Sequence, residues 1–267
     1  AMLKINHLSK TFHLDSNPLN DKKALIDINL TIEDGDFISV IGGNGSGKTT
    51  LLNIIAGVYT PDSGTIDLNE VELTRLQEFQ RARYIGRVFQ DPMIGTVGDM
   101  SIEENLALAT HRGSTLSLKW GLPVQSRETY KQLLQNLDLD LETRLKAKVR
   151  HLSGGQRQAL TLLMATHVTP SLLLLDEHVA ALDPKTAKNV MALTEKVVRE
   201  KKITTLMITH NMKDAIRYGN RLLMMANGRI IFDCQGEEKK KLTVEQLIEK
   251  FNDSSEDELP DSMLLSR

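Results

Sequence analysis

Short apolar runs and helix-spaced segments alternate along most of this 267-residue chain. Leu25-Ile-Asp-Ile-Asn-Leu-Thr-Ile32 switches strictly between apolar and polar residues, which predicts a strand with one buried and one wet face. Residues 2–7 alternate more loosely and predict an earlier strand, with a polar surface loop over 15–23 between the two. Residues 172–175 are wholly apolar, the pattern of a central parallel strand buried on both faces, and 36–41 and 204–209 read as further short buried strands. Residues 65–68 and 84–89 read as further short strands, the first entered through the Pro61-Asp-Ser-Gly64 turn. Apolar residues at helical spacing follow at 50–56, from Ser153 to about 169, and over about 184–200, where Asp183 suits the N-cap and Pro184 the first turn. Near the end, Arg221-Leu-Leu-Met-Met and Arg229-Ile-Ile-Phe flank Asn227-Gly228, a two-residue hairpin signal.

This order predicts an α/β fold with a mixed, largely parallel central sheet and an antiparallel N-terminal β part. The alternation lapses between 91 and about 150, where helical patterns at 101–109 and 126–137 are separated by a polar stretch, 111–121. A helical insertion is expected there, with Trp120 packed inside it. The main domain then covers 2–237, and 238–267 carries a short amphipathic helix over 243–251 and an acidic, Ser-rich tail.

Composition narrows the class. Lys+Arg 33 against Asp+Glu 35 gives a net charge of -2, so no global basic field points to nucleic acid. No run of eighteen apolar residues suggests a bilayer span, Cys234 is the one cysteine, and no secretory leader is evident. Ala1 before Met2 reads as an expression remnant. These features predict a cytoplasmic protein.

The chemistry centres on Gly42-Gly43-Asn44-Gly45-Ser46-Gly47-Lys48-Thr49, two glycines five apart followed by Lys and Thr. It sits between a predicted strand end and a predicted helix start at Thr50, the context a phosphate loop needs. Backbone N–H groups can surround phosphate oxygens there, and the helix N-terminus adds partial positive charge. Lys48 is placed to reach the β- and γ-phosphates, and the Thr49 hydroxyl to coordinate Mg²⁺. Asp176-Glu177 ends the apolar run 172–175; an Asp there can hold Mg²⁺, and the neighbouring Glu can deprotonate an attacking water. Ser153 and Gln156 have capping-box spacing at the start of a helix, and Gly154 and Gly155 make the same turn a possible anion site.

Taken together, GGNGSGKT, Gln90, LSGGQ, LLLLDE, Ala181-Leu-Asp183 and His210 resemble the ABC-type ATPase cassette, from Met2 to about 237. The resemblance implies a P-loop NTPase fold that binds ATP and Mg²⁺, with Thr49, Gln90 and Asp176 around the metal. It implies Glu177 as general base, His210 on the γ-phosphate, and Gln90 contacting Mg²⁺ and water. It also implies a head-to-tail homodimer in which Ser153, Gly154, Gly155 and Gln156 of one chain face the nucleotide of the other, linked through Asp183. Phe12 stands where the family's adenine-stacking aromatic lies. One residue departs from the pattern: His178 follows the catalytic Glu where the family usually has Pro. That adds a titratable group whose charge near neutral pH could reach the attacking water.

The implied function is the ATPase subunit of a bacterial ABC transporter, peripheral on the cytoplasmic face of the membrane through separate permease subunits. An extracytoplasmic solute-binding protein is an indirect partner, and the solute expected is amino-acid-like. The insertion is expected to dock on the permease, with Glu103 and Glu104 near the contact. A lipoprotein or peptide exporter ATPase and a soluble ABC ATPase of the iron–sulfur assembly type remain open alternatives.

Overall fold

A computed structural model describes residues 2–111 and 124–254. Trp120, most of the polar stretch in the insertion and the end of the acidic tail lie outside the described residues. Backbone contacts divide the chain into two compact units: residues up to Arg81 together with those from Ile203 onward, and Ala82–Lys202.

The first unit holds two sheets. One is antiparallel, ordered β2-β1-β4-β5 from strands β1 (Leu3–Phe12), β2 (Lys22–Ile32), β4 (Ser63–Leu68) and β5 (Val71–Glu72). Pairing of Leu3 with Ile32 and of Ile5 with Leu30 sets their apolar side chains on one face, and all four are buried. The same unit orders β10 (Arg229–Gln235), β9 (Arg221–Ala226), β3 (Phe37–Gly42) and β8 (Thr205–Ile208) side by side. β3 lies between β8 and β9, parallel to both, and each of its six residues is buried. A strand enclosed on both edges and faces gains nothing from polar alternation, so its sequence is continuous and apolar. β9 and β10 form the hairpin that Asn227-Gly228 announces; both turn residues have positive φ, 50° and 76°. Helix α1 (Lys48–Ala56) follows β3, and α7 (Met212–Arg217), α8 (Gly236–Lys240) and α9 (Val244–Ser254) complete the unit.

In the second unit β6 (Ile85–Val88) and β7 (Leu172–Asp176) pair in parallel, with Val88 opposite Leu175. Helices α3 (Ile102–Thr110), α4 (Val124–Gln135), α5 (Gly154–Thr166) and α6 (Pro184–Lys201) surround an apolar cluster that includes Ile102, Leu106, Leu134, Val149 and Leu160, all 0% exposed. Glu103 is buried and pairs with the Arg127 guanidinium at 2.9 Å. The glutamate expected at a docking face is therefore a bracket between α3 and α4, while Glu104 is exposed.

Four short elements escape the sequence patterns: β5, α2 (Glu78–Arg81), α7 and α8. None exceeds six residues, too few for a period to repeat. α2 exists to seat Arg81, whose side chain is 2% exposed and donates to the carbonyls of Ile54, Ile55, Leu76 and Thr74. Two of those carbonyls end α1, so the guanidinium caps that helix C-terminus.

Candidate nucleotide-binding site

The loop between β3 and α1 curls because its glycines permit it. Gly45 and Gly47 have φ of 74° and 102°, which L side chains rarely adopt. A Cβ on Gly42 would collide with the Met225 carbonyl and the Ser46 hydroxyl, and one on Gly47 with the Ala24 carbonyl. The loop is also clipped from outside: Gly228 of the hairpin turn donates its N–H to the Ser46 carbonyl at 2.9 Å and accepts from Ile26 N–H at 2.8 Å. Sequence reasoning assigned that turn a hairpin role only. Lys48 is 5% exposed, and its ammonium donates to the Gly43 carbonyl at 3.2 Å, folded back over its own loop. Ser46 Oγ is buried and lacks a hydrogen-bond partner, although such groups are normally satisfied. An unpartnered hydroxyl, an ammonium and α1's N-terminal N–H groups converge on a turn without Cβ atoms; this donor set fits phosphate oxygens. Thr49 and Asn44 are exposed at the rim and Thr50 is half-buried.

The same unit supplies two other expected residues. In the parallel register Val40 faces Ile208, so two residues further on His210 leaves β8 at the level where Gly42 enters the loop. The turn carrying it is fixed by Thr209, whose N–H reaches the Val40 carbonyl and whose hydroxyl accepts from Asn211 N–H. Phe12 ends β1, half-buried, its ring edge-on to Tyr59 with centroids 5.2 Å apart. Its pairing partner across the sheet is Lys22, and the Lys22 ammonium lies 2.9 Å from where a Cβ on Gly45 would stand. The sheet thus brings Phe12 and Lys22 to the phosphate loop. Lys22 lies in the stretch 15–23 expected as a surface loop, and nothing in its local sequence marks it.

The second unit assembles the other group. Because Val88 and Leu175 are opposite in parallel strands, Gln90 and Glu177, each two residues further along, emerge at the same edge. Asp176 is half-buried and Arg87 approaches its Oδ2 at 3.4 Å. Glu177 has a φ of 50°, a left-handed conformation that costs a non-glycine residue on the order of 1 kcal/mol. Among the described residues no cluster of three or more His, Cys, Asp and Glu could hold a metal by itself. A single carboxylate such as Asp176 is nevertheless a donor Mg²⁺ commonly uses when substrate phosphates and water complete its shell.

His178 corrects the sequence expectation. It is 1% exposed, its Nε2 lies 2.9 Å from Thr194 Oγ1, and burial pushes its pKa down to about 4. A ring at that value is neutral at physiological pH, so no charge from it reaches the neighbouring carboxylate. The Thr194 hydroxyl spends its proton on the Val190 carbonyl at 2.7 Å, which leaves it to accept from an Nε2–H tautomer of His178.

At the start of α5, Ser153 Oγ accepts from Gln156 N–H at 3.2 Å and Gln156 Oε1 accepts from Ser153 N–H at 3.1 Å, so the capping box forms. Ser153 and Gly154 are exposed, whereas a Cβ on Gly155 would strike Thr186. Thr186 also donates its N–H to Asp183 Oδ2 at 3.0 Å, capping α6, and hydrogen bonding from the Thr186 side chain and then its N–H holds the Asp183 pKa low. The signature turn and Asp183 therefore share one packed corner of the second unit.

Residues 25–180 match the family model described as ABC transporter. The chain is 48% identical over 251 residues, 94% of its length and 98% of the relative's, to a tyrosine transport ATP-binding protein of Clostridioides difficile. It is 36% identical over 227 residues to a sulfate/thiosulfate import ATP-binding protein of Synechocystis, spanning 58% of that longer protein. Its structure resembles a dimeric ATP-binding cassette bound to ADP and phosphate, with 28% identity, a TM-score of 0.73, and coverage of 88% of this chain and 98% of that one. The chain belongs to the ABC transporter ATP-binding family: it is an ATP-hydrolysing cassette of that family's P-loop fold.

Proposed function

We propose that this chain powers import of an amino-acid-like solute, with an aromatic amino acid as the first candidate. It would work as a homodimer on the cytoplasmic side of a separate membrane permease that a solute-binding protein supplies. The observation that carries the reading is the 48% identity, maintained over 94% of the chain, to a tyrosine transport ATP-binding protein. No helix among the described residues is long and apolar enough to cross a membrane.

In this reading Phe12 stacks on adenine, and Gly42 to Thr50 cradle the phosphates through backbone N–H groups, with Lys48 neutralising their charge. Thr49, Gln90 and Asp176 would hold Mg²⁺, which would supply positive charge to offset that of the phosphates. Glu177 takes the proton of the water that attacks the γ-phosphorus as the bond to the bridging oxygen breaks and ADP leaves. His210 holds the γ-phosphate. Ser153, Gly154, Gly155 and Gln156 close over the partner's nucleotide, and Asp183 joins the two sites across the interface.

A permease-docking surface is supported on the second unit. Ile94, Val97, Leu108 and Met164 line a groove with Arg87 and Thr161, and Ile94 is 61% and Val97 46% exposed. Apolar side chains grouped this way mark an interaction face. The experiment is deletion of the gene followed by uptake of labelled tyrosine and other amino acids by whole cells. Loss of aromatic amino-acid uptake, restored by the wild-type gene and not by Lys48→Ala, is expected. Unchanged amino-acid uptake together with loss of another solute, or export of one, would overturn the solute assignment.

A further inference from the structure

Gln158 stands five residues beyond Ser153 on α5, fully buried, and its side chain is spent entirely inside the protein. Its Nε2 donates one hydrogen to the carbonyl of Phe89 at 2.7 Å and the other to the carbonyl of His178. The Thr161 hydroxyl, one turn further along the helix, shares its proton between the Gln158 carbonyl at 2.7 Å and Oε1 at 2.8 Å, and the two carbonyls facing Nε2 fix the orientation of the amide. Phe89 immediately precedes Gln90, and His178 immediately follows Glu177. One amide thus spans the two backbone ends that present the metal-side glutamine and the base. β6 and β7 stop at Val88 and Asp176, so no ladder hydrogen bond continues to do this.

The neighbouring residue reinforces the grip. Arg157, 4% exposed, donates from Nε to Thr96 Oγ1 at 2.9 Å and also reaches the Met93 sulfur. Two successive residues of α5 therefore hold the chain from Phe89 to Thr96 from the second unit's own interior. On the other side, His178 is anchored to α6 through Thr194. Glu177, in its left-handed conformation, sits between the rigid strand β7 and this anchored carbonyl.

We propose that Gln158 is a positioning residue that couples the signature turn of a chain to Gln90 and Glu177 of the same chain. The proposal rests on the functional reading above, in which Ser153 to Gly155 face the partner's nucleotide while Gln90 and Glu177 serve the chain's own. A rigid helix carrying both Ser153 and Gln158 then makes closure over one nucleotide adjust the base and the metal ligand at the other. The two ATP sites communicate through α5, and hydrolysis is cooperative in ATP.

The test compares wild type, Gln158→Met, Gln158→Glu and Glu177→Gln as full chains, each with its turnover, KM, Hill coefficient and nucleotide affinity. Met keeps the volume of Gln158 without its donors, and Glu keeps the Thr161 contact while removing both N–H groups. Turnover should fall by about tenfold or more in both Gln158 variants, with the Hill coefficient moving toward one. ATP affinity measured without Mg²⁺ should stay within about twofold, since no phosphate contact changes. If the Gln158 variants do not fold, Thr161→Val releases the amide with less disturbance and should lower turnover about threefold with the same loss of cooperativity. Turnover and cooperativity at wild-type levels in the folded variants, with Glu177→Gln inactive, would overturn the coupling and leave the functional reading intact. A parallel loss of affinity, turnover and thermal stability would reduce Gln158 to packing and equally overturn it. Full turnover in Glu177→Gln would instead bring down the base assignment, and the proposal with it.

Discussion

Replacing His178 with proline tests how a buried imidazole beside Glu177, the proposed base, behaves. The ring's folded pKa of about 4 lies below its ordinary 6.5, a gap worth about 3 kcal/mol. Because the folded value is the lower one, the neutral ring's contribution is whole above pH 6.5 and drains away as pH falls toward 4. Linkage between those two values gives a loss of about 2 kcal/mol between pH 7 and pH 5. At pH 7 His178→Pro removes one hydrogen bond, about 1 kcal/mol, while Thr194 keeps its bond to the Val190 carbonyl. Proline also restricts the unfolded chain, which returns about 0.4–1 kcal/mol where its φ fits. The variant should therefore match wild type within about 1 kcal/mol at pH 7 and exceed it at pH 5. Scanning fluorimetry reads this as a difference of about 4–8 °C in the pH-induced change of Tm, at roughly 2–4 °C per kcal/mol for a chain of this size. Turnover at pH 7 should stay within about tenfold, because a neutral ring contributes no field at the base. Parallel pH dependences in wild type and variant would refute the buried, neutral assignment. A fall in turnover of several orders of magnitude in a folded variant would give His178 a direct catalytic part.

Glu177→Gln should bind ATP normally and lose about two to four orders of magnitude in turnover, the usual share of a general base. With ATP and no Mg²⁺ it should elute at twice the monomer mass in size-exclusion chromatography, and ADP should not produce this; a monomer turning over at the wild-type rate would sink both the base and the ATP-bridged dimer. Arg81→Met strips four carbonyls of their buried donor and should destabilise the chain by about 3 kcal/mol in urea unfolding, whereas a change below about 1 kcal/mol would mean that water replaces the guanidinium. Ile94→Asp should leave ATP binding and solubility unchanged and lower permease-stimulated hydrolysis at least tenfold, and full stimulation would place docking elsewhere. Charge reversal at Glu103 should mainly lower Tm, because it breaks the pair with Arg127.

Much of the candidate site was legible because the chemistry proposed for it is local. A phosphate loop works through consecutive backbone N–H groups, so its glycines, Lys48 and Thr49 must be contiguous. Asp176 and Glu177 had to end a buried strand, and that strand announces itself as the unbroken apolar run 172–175. Gln90 and His210 are single residues with no local pattern; only their order among the other motifs brought them to notice. Lys22 and Gln158 had neither advantage, since a strand pairing brings one to its place and an interior amide bridge the other.

The sequence by itself determined where the strands and longer helices run, because alternation and helical spacing reflect which face each element buries. It also determined the nucleotide chemistry, because consecutive residues carry it. The tertiary structure alone decided the state of His178, since its neutrality follows from burial beside Thr194 and not from its neighbours in the chain. It decided that Glu103 braces two helices and is not offered to a partner. It made Gly228 a clip on the phosphate loop, 182 residues from the Ser46 carbonyl it holds. These outcomes depend on partners distant in sequence, and desolvation and hydrogen bonding act on whatever the fold brings within about 3 Å.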